Sequence, residues 1–198
     1  MTNEIMRRPV NAMRKVNEGR GHFIPHLSRH AVWELAEKAG TLGQIRNGKK
    51  LQTHRGVRDS LLIKVIFDTC CRVSEVVGDK NNGMTGFRFC DLKQDNIGNT
   101  SVSIMGKGGK QAEVAMSNSI YSELMSYIFF AKLNQIPNWE EERIFAISRK
   151  RVFQIVQRAF SESPHINKPD RVGAVHVLRH SGAITRLSHH GNPKALQD

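Results

Sequence analysis

The chain is short of cysteine, of tyrosine and of acidic side chains, and each shortage narrows what it can be. Its three cysteines are the adjacent pair Cys70-Cys71 and the separate Cys90, with no C-x-x-C anywhere. Adjacent cysteines seldom bridge one another, so reduced, mostly buried thiols in a cytosolic compartment are expected. No run of about 18 apolar residues is present, the length a membrane-spanning helix needs. Met1-Thr2-Asn3-Glu4 is not followed by an apolar signal core, so export is not expected. Eighteen Asp and Glu face 30 Lys and Arg, a formal charge of +12. The excess is uneven: residues 1–58 hold twelve Lys/Arg against four Glu, a net +8. Such a field draws in polyanions, nucleic acid first, in a salt-dependent way. At 198 residues and 39% hydrophobic content the chain suffices for one domain, with or without a basic extension.

What is present reads as mainly α with a small antiparallel β-sheet, an α+β chain. Residues 1–22 form a basic N-terminal arm or linker in this reading, and residues 23–198 the folded domain. Little regular structure is expected before Ser28, given Pro9, Gly19, Gly21 and Pro25. Ser28 caps a helix to about Ala39, with Gly40 as its stop. A basic loop with Arg46, Lys49 and Lys50 follows. Val57, Leu61, Leu62, Val65 and Ile66 recur at helical spacing and predict the central buried helix, to about Thr69. Phe87 and Phe89 suggest a short strand. Ser101–Met105 and Gln111–Met116 alternate as strands joined by the glycine-rich turn Gly106-Lys107-Gly108-Gly109-Lys110. A helix from Ser117 or Asn118 to about Leu133 comes next. Ser148 caps another, with Val152, Phe153, Val156, Ala159 and Phe160 facing inward. A last helix begins near Val177 and ends at His189-His190-Gly191.

Three separated segments carry candidate anion chemistry. His176-Val177-Leu178-Arg179-His180 places His176 and Arg179 three apart, neighbours on one helix face. With the helix starting near Val177, free backbone N–H groups there would also favour an oxyanion. Arg72 follows the buried helix among apolar neighbours; a buried guanidinium needs an anion, and Glu75, three residues on, is a candidate partner. Lys107 and Lys110 sit on the hairpin turn, which lacks the G-x-x-x-x-G-K-[ST] string of a nucleotide-binding P-loop. Arg149, Lys150 and Arg151 open a helix against the dipole preference, which favours an external phosphate. Arg46, Lys49 and Lys50 are further candidates for DNA phosphate contacts.

In chain order these segments read Thr69-Cys70-Cys71-Arg72-Val73-Ser74-Glu75, then Ile104-Met105-Gly106-Lys107-Gly108-Gly109-Lys110, then His176-Val177-Leu178-Arg179-His180-Ser181. Together they resemble the catalytic domain of the tyrosine recombinase (phage integrase) family, with its T-G-x-R-x-S-E-like box, hairpin lysine and H-x-L-R-H box. Cys70 stands where the family often has glycine, and Ser181 where it often has threonine. The resemblance covers roughly residue 23 to the end. It implies site-specific DNA strand cleavage and rejoining through a 3′-phosphotyrosyl intermediate, without cofactor or metal. Carried over by position, Arg72 and Arg179 would clamp the non-bridging phosphate oxygens. Lys107 would protonate the departing 5′-oxygen, with Lys110 as fallback. His176 would share in proton transfer or bind the phosphate, and Glu75 and His180 would orient or support.

The family's nucleophilic tyrosine follows a second His/Trp box downstream of H-x-L-R-H. Among the nineteen residues after Arg179 there is no tyrosine, and Tyr121 and Tyr127 precede the box on a predicted packing helix. The expectation is therefore an integrase-like domain truncated before its nucleophile, one that binds double-stranded DNA but does not cut it alone. Self-association on DNA is expected of the full-length form, with cytoplasmic, nucleoid-associated localisation and no membrane partner. One alternative is a non-catalytic DNA-binding protein that keeps the integrase fold. A remote one is a metallohydrolase ligated by His176, His180 and a third residue such as His189, although Val177 occupies the place of the H-E-x-x-H glutamate.

Overall fold

A computed structural model describes residues 26–41, 45–46, 49–50, 53–106, 109–169 and 172–190, with backbone alone at 45, 46, 49, 50, 189 and 190. The predicted N-terminal arm lies outside the described residues. Helix α1 (Arg29–Thr41) opens where the Ala31 N–H donates to Ser28 Oγ at 3.2 Å, and it buries Val32, Leu35, Ala36 and Ala39. Gly40 does not stop it. A Cβ there would stand 3.1 Å from the Ser60 Cβ, so the glycine serves close approach to the next helix.

Two short strands, β1 (Ile45–Arg46) and β2 (Lys49–Lys50), pair antiparallel before α2 (His54–Thr69). Thr53 caps α2, its Oγ1 accepting from the Gly56 N–H. Leu61, Leu62, Ile63, Val65 and Ile66 are all buried, so apolar residues wrap most of the circumference. A helix apolar on nearly all sides belongs at the centre of a domain, and α2 packs against α1, against α4 (Asn118–Phe130) and against α6 (Ala174–His190). The five-residue α3 (Val73–Val77) follows directly.

The sheet has three antiparallel strands in the order β3 (Leu92–Gln94), β4 (Thr100–Met105), β5 (Gln111–Met116). Sequence reading missed β3, since Leu92-Lys93-Gln94 offers one apolar residue and no alternation. Phe87 makes extended backbone bonds, donating to Val76 O and accepting from the Ile144 N–H, but Phe89 begins a 3₁₀ turn. Ser74 is buried inside α3, whose cap is Arg72. Helix α5 (Arg149–Ser161) starts with the Arg151 N–H on Ser148 Oγ and buries Val152, Ile155, Val156 and Ala159. Phe153 is not in the core: it is 46% exposed. At 100° per residue it stands a quarter-turn from Val152, at the edge of the buried stripe.

Candidate functional site

The site begins where α2 ends. Cys70 terminates the helix in the left-handed region, φ 56°, the conformation that glycine adopts at least cost. That turn redirects the chain so that Arg72 caps α3. Glu75, buried at its third position, holds Arg72 twice: Oε2 accepts the Arg72 backbone N–H at 2.6 Å and Oε1 accepts from Nη1 at 3.0 Å. The expected Arg72–Glu75 pair is therefore present, with one correction. The Arg72 side chain is not buried; it is 59% exposed, with its remaining donors turned to solvent. The carboxylate is the buried member, which leaves the arginine held at its base and open at its tip.

The second half comes from α6. The helix begins at Ala174, the Val177 N–H already bonded to Gly173 O at 3.0 Å. It thus starts three residues earlier than predicted, because Gly173 and Ala174 offer no bulk that opposes another turn. His176 falls in the first turn and Arg179 in the second. The helix N-terminus consequently does less for Arg179 than the sequence suggested, but the i, i+3 relation of the two side chains stands. Among the described residues Arg179 makes no hydrogen bond or ion pair; its charge is felt by the thiols of Cys70 and Cys71.

Arg72, His176 and Arg179 line one cavity of about 400 Å³, walled by Ile66, Val73, Val175 and the exposed Phe153. Two guanidiniums and an imidazole thus come from segments far apart in the chain onto one apolar-walled cleft. Glu75 neutralises part of one guanidinium, and among the described residues no carboxylate pairs with the other. An oxyanion is what such a cleft can hold, and planar guanidiniums bind one in a forked geometry.

The two boxes are brought together by a residue the sequence reading passed over. A Cβ on Gly182 would overlap the Phe67 carbonyl oxygen and stand 3.1 Å from Cys70 Sγ. Helix α6 therefore touches the last turn of α2 backbone to backbone, directly behind the Arg72 turn. A glycine within a helical pattern was the signal for such a contact. One residue earlier, the fully buried Ser181 accepts the Leu27 N–H at 2.8 Å and donates to Val177 O at 2.7 Å, tying the lead-in of the domain to α6.

The other candidates are placed less uniformly. Lys107 lies outside the described residues, as do the side chains of Arg46, Lys49 and Lys50. Lys110 is exposed at the base of the turn, where its carbonyl accepts the Gly106 N–H at 2.7 Å. His180 is half-buried on α6 and does not line the cleft. Arg149, expected to want an external anion, has an internal one: Nη1 lies 3.2 Å from the buried Asp79 Oδ2. Lys150 and Arg151 are exposed, and Arg151 reaches Gln154 at 3.4 Å. Among the described residues no three His, Cys, Asp or Glu side chains cluster as metal ligands would, and no helix is long and apolar enough to cross a membrane.

Burial holds the cysteines beside the cleft in the thiol form. Burial pushes the Cys71 thiol up to about 12, and burial likewise raises Cys70, outweighing the nearby Arg179. All three cysteines are free, but Cys90 is exposed rather than buried, being the first residue after Phe89 turns inward.

No family model matches the chain. Among curated proteins it is 27% identical over 192 residues to the tyrosine recombinase XerC of Yersinia pestis, covering 92% of the chain and 55% of that protein. It is 24% identical over 178 residues to XerD of Shewanella oneidensis, covering 87% and 54%. The chain thus spans about half the length of the curated relatives it matches. Among solved structures, the XerH recombinase in its post-cleavage complex with a palindromic difH substrate superposes with a TM-score of 0.61 at 21% identity, over 92% of this chain and 48% of that one. The XerA recombinase gives 0.60 at 19%, over 91% and 55%.

Proposed function

The chain has the fold and the sequence marks of a tyrosine recombinase catalytic domain, and from that premise we propose that it is the phosphate-clamping part of a site-specific DNA recombinase. The observation that carries this reading is the convergence of Arg72, His176 and Arg179 on one cleft. The scissile phosphate would sit between the two guanidiniums, which oppose the charge that develops on its non-bridging oxygens as a fifth oxygen approaches. Glu75, by fixing the base of Arg72, removes the freedom that a long side chain would otherwise lose on binding. His176 at the mouth donates to, or exchanges a proton with, the same phosphate. Lys107, or Lys110 in its place, delivers the proton to the departing 5′-oxygen. Attack by a tyrosine oxygen then leaves a 3′-phosphotyrosyl bond and a free 5′-hydroxyl; a different 5′-hydroxyl reverses the step and joins the strands.

Neither tyrosine of the chain lines the cleft among its described residues. Tyr127 is buried, its phenol raised by that burial, and it lines a separate cavity; Tyr121 is half-buried on the same helix. The chain as it stands therefore binds duplex DNA and forms no covalent adduct. Double-stranded DNA is the partner, with self-association on DNA in the full-length form, in the cytoplasm at the nucleoid. The test is a nicked duplex incubated with the 198-residue chain alone, then with a tyrosine-bearing C-terminal segment of a related recombinase joined to it. Binding in both cases and an adduct only in the second support the enzyme reading. An adduct with the chain alone would refute the missing-nucleophile part. Binding without an adduct in either case favours the rival reading, a non-catalytic DNA-binding protein on the same fold.

A further inference from the structure

His176, Arg179, Gly182 and Arg186 recur along one face of α6 at spacings of three, three and four. The first two line the cleft and the third touches α2. The fourth has no part in the clamp, yet it is well held. Arg186 Nη2 donates to Ala115 O at 2.8 Å and lies 3.9 Å from Asp68 Oδ2. The same carboxylate oxygen accepts the Ser117 N–H at 2.8 Å. Asp68 is in the last turn of α2, Ala115 is at the end of β5, and Ser117 follows the strand as the cap of α4. Both side chains are largely buried, Arg186 at 26% exposure and Asp68 at 11%.

The strand they grip is at the edge of the sheet: the order β3-β4-β5 leaves the outer side of β5 without a strand neighbour among the described residues. Arg186 supplies it with a donor, and Asp68 supplies an acceptor to Ser117 just beyond its end, one from each helix that builds the clamp. Partially burying an ion pair is costly unless its donors and acceptors are used, and here they are used on backbone groups of the hairpin.

We propose that Arg186, acting with Asp68, is a positioning residue that sets the β4–β5 hairpin, and with it the turn carrying Lys107 and Lys110, at a fixed angle to the arginine clamp. The proposal rests on the recombinase reading for what the alignment is for, and on the contacts alone for its mechanics. Its leverage is geometric. A six-residue strand is about 20 Å long, so a rotation of about 10° at its base carries the turn about 3 Å. That displacement is enough to take a proton donor out of hydrogen-bond reach. The hairpin itself would stay folded without Arg186, since Thr100 Oγ1 still bonds Met116 O at 2.8 Å and Asn118 Oδ1 at 2.9 Å.

The test is hydrogen exchange read by mass spectrometry on the 198-residue chain, free and with a duplex oligonucleotide, for wild type, R186Q, R186K and D68N. In free R186Q, exchange across Gln111–Ser117 is expected to rise about tenfold while Leu61–Phe67 in α2 does not change. R186K, which keeps the charge, recovers part of the protection. D68N, which keeps an acceptor for Ser117 but loses the ion pair, falls between. With DNA, the turn at Gly106–Lys110 gains protection in wild type and less in R186Q. Unchanged exchange at Gln111–Ser117, or a rise spread equally over α2 and α6, would overturn the positioning role. If R186Q does not fold, R186K and D68N decide the same question. If DNA leaves the wild-type turn unprotected, the recombinase reading of the hairpin lysines fails, while the free-chain exchange still settles Arg186.

Discussion

Between α1, α2 and α4 lies a cavity of about 740 Å³, nearly twice the roughly 400 Å³ cleft that holds Arg72, His176 and Arg179. By volume the larger one is the default binding site. Its charge, however, is of the wrong sign for an anion: Lys64 Nζ lies 2.8 Å from Glu123 Oε2 across it, Glu37 adds a second carboxylate, and the rest of its wall is apolar or neutral, with Tyr127 and Phe130 on one side. The smaller cleft keeps a guanidinium with no carboxylate partner among the described residues and a second that is only half satisfied. Spare charge at a fixed place marks a site for an anion better than space does.

Breaking that contrast begins with what builds the cleft. Gly182→Ala puts a methyl group into the Phe67 carbonyl, and the two helices must part. A loss of about 3 kcal/mol or more is expected, read as a fall in thermal midpoint, with DNA binding lost alongside. An unchanged midpoint would mean that α6 does not lie against α2 this way.

Next come the two arginines. In a form supplied with a tyrosine, Arg179→Ala or Arg72→Ala should slow adduct formation by about 10²- to 10³-fold, as removal of one preorganised donor does elsewhere. On the 198-residue chain each should weaken duplex binding and reduce the salt slope by about one. Glu75→Gln sharpens the comparison between them. It keeps the shape but weakens the hold on Arg72 alone, and a cost of about 1–3 kcal/mol in stability or binding is expected. If Glu75→Gln and Arg179→Ala add independently, Glu75 acts only through Arg72.

The large cavity is the control. Lys64→Met with Glu123→Leu removes a partly exposed pair and should shift stability by less than about 1 kcal/mol, leaving duplex affinity as in wild type. Weakened DNA binding in that variant would erase the distinction between the cavities.

The smallest effect concerns the thiols. Cys71 in the unfolded chain ionises near its ordinary value of 9.0, and in the fold only near about 12. The folded state therefore loses stability as pH rises through that window, and Cys71→Ala should flatten this part of the alkaline decline. At mild pH an alkylating reagent should label exposed Cys90 first.

Much of this was legible in residue order. Helical spacing in Leu61, Leu62, Val65 and Ile66 gave the central helix, and alternation gave β4 and β5 almost to the residue, because each pattern reports the period at which side chains are buried. Ser28 and Ser148 were recognisable as caps from their side-chain chemistry. Where a residue's role depended on a distant neighbour, residue order was silent or misleading. Phe153 counted as core on apolarity, yet stands at the rim of the cleft. Arg149 suggested an outside anion until Asp79 lay beside it. Gly40 looked like a stop and is a point of contact with α2. For the site, the Arg72–Glu75 pair and the i, i+3 relation of His176 and Arg179 are local and could be anticipated; Gly182 within a helical pattern signalled a close contact but not its partner, and the Arg186–Asp68 tie gave no signal.

The sequence by itself therefore determined the elements, the excess of positive charge and the identity of the three boxes, since each depends on residues within a turn or two of one another. Only the tertiary structure decided that Arg72 is open while Glu75 is buried, that Arg179 has no carboxylate within the described fold, and that one bare glycine lets α6 reach α2. Those are facts about side chains far apart in the chain, and they are fixed by where helices cross.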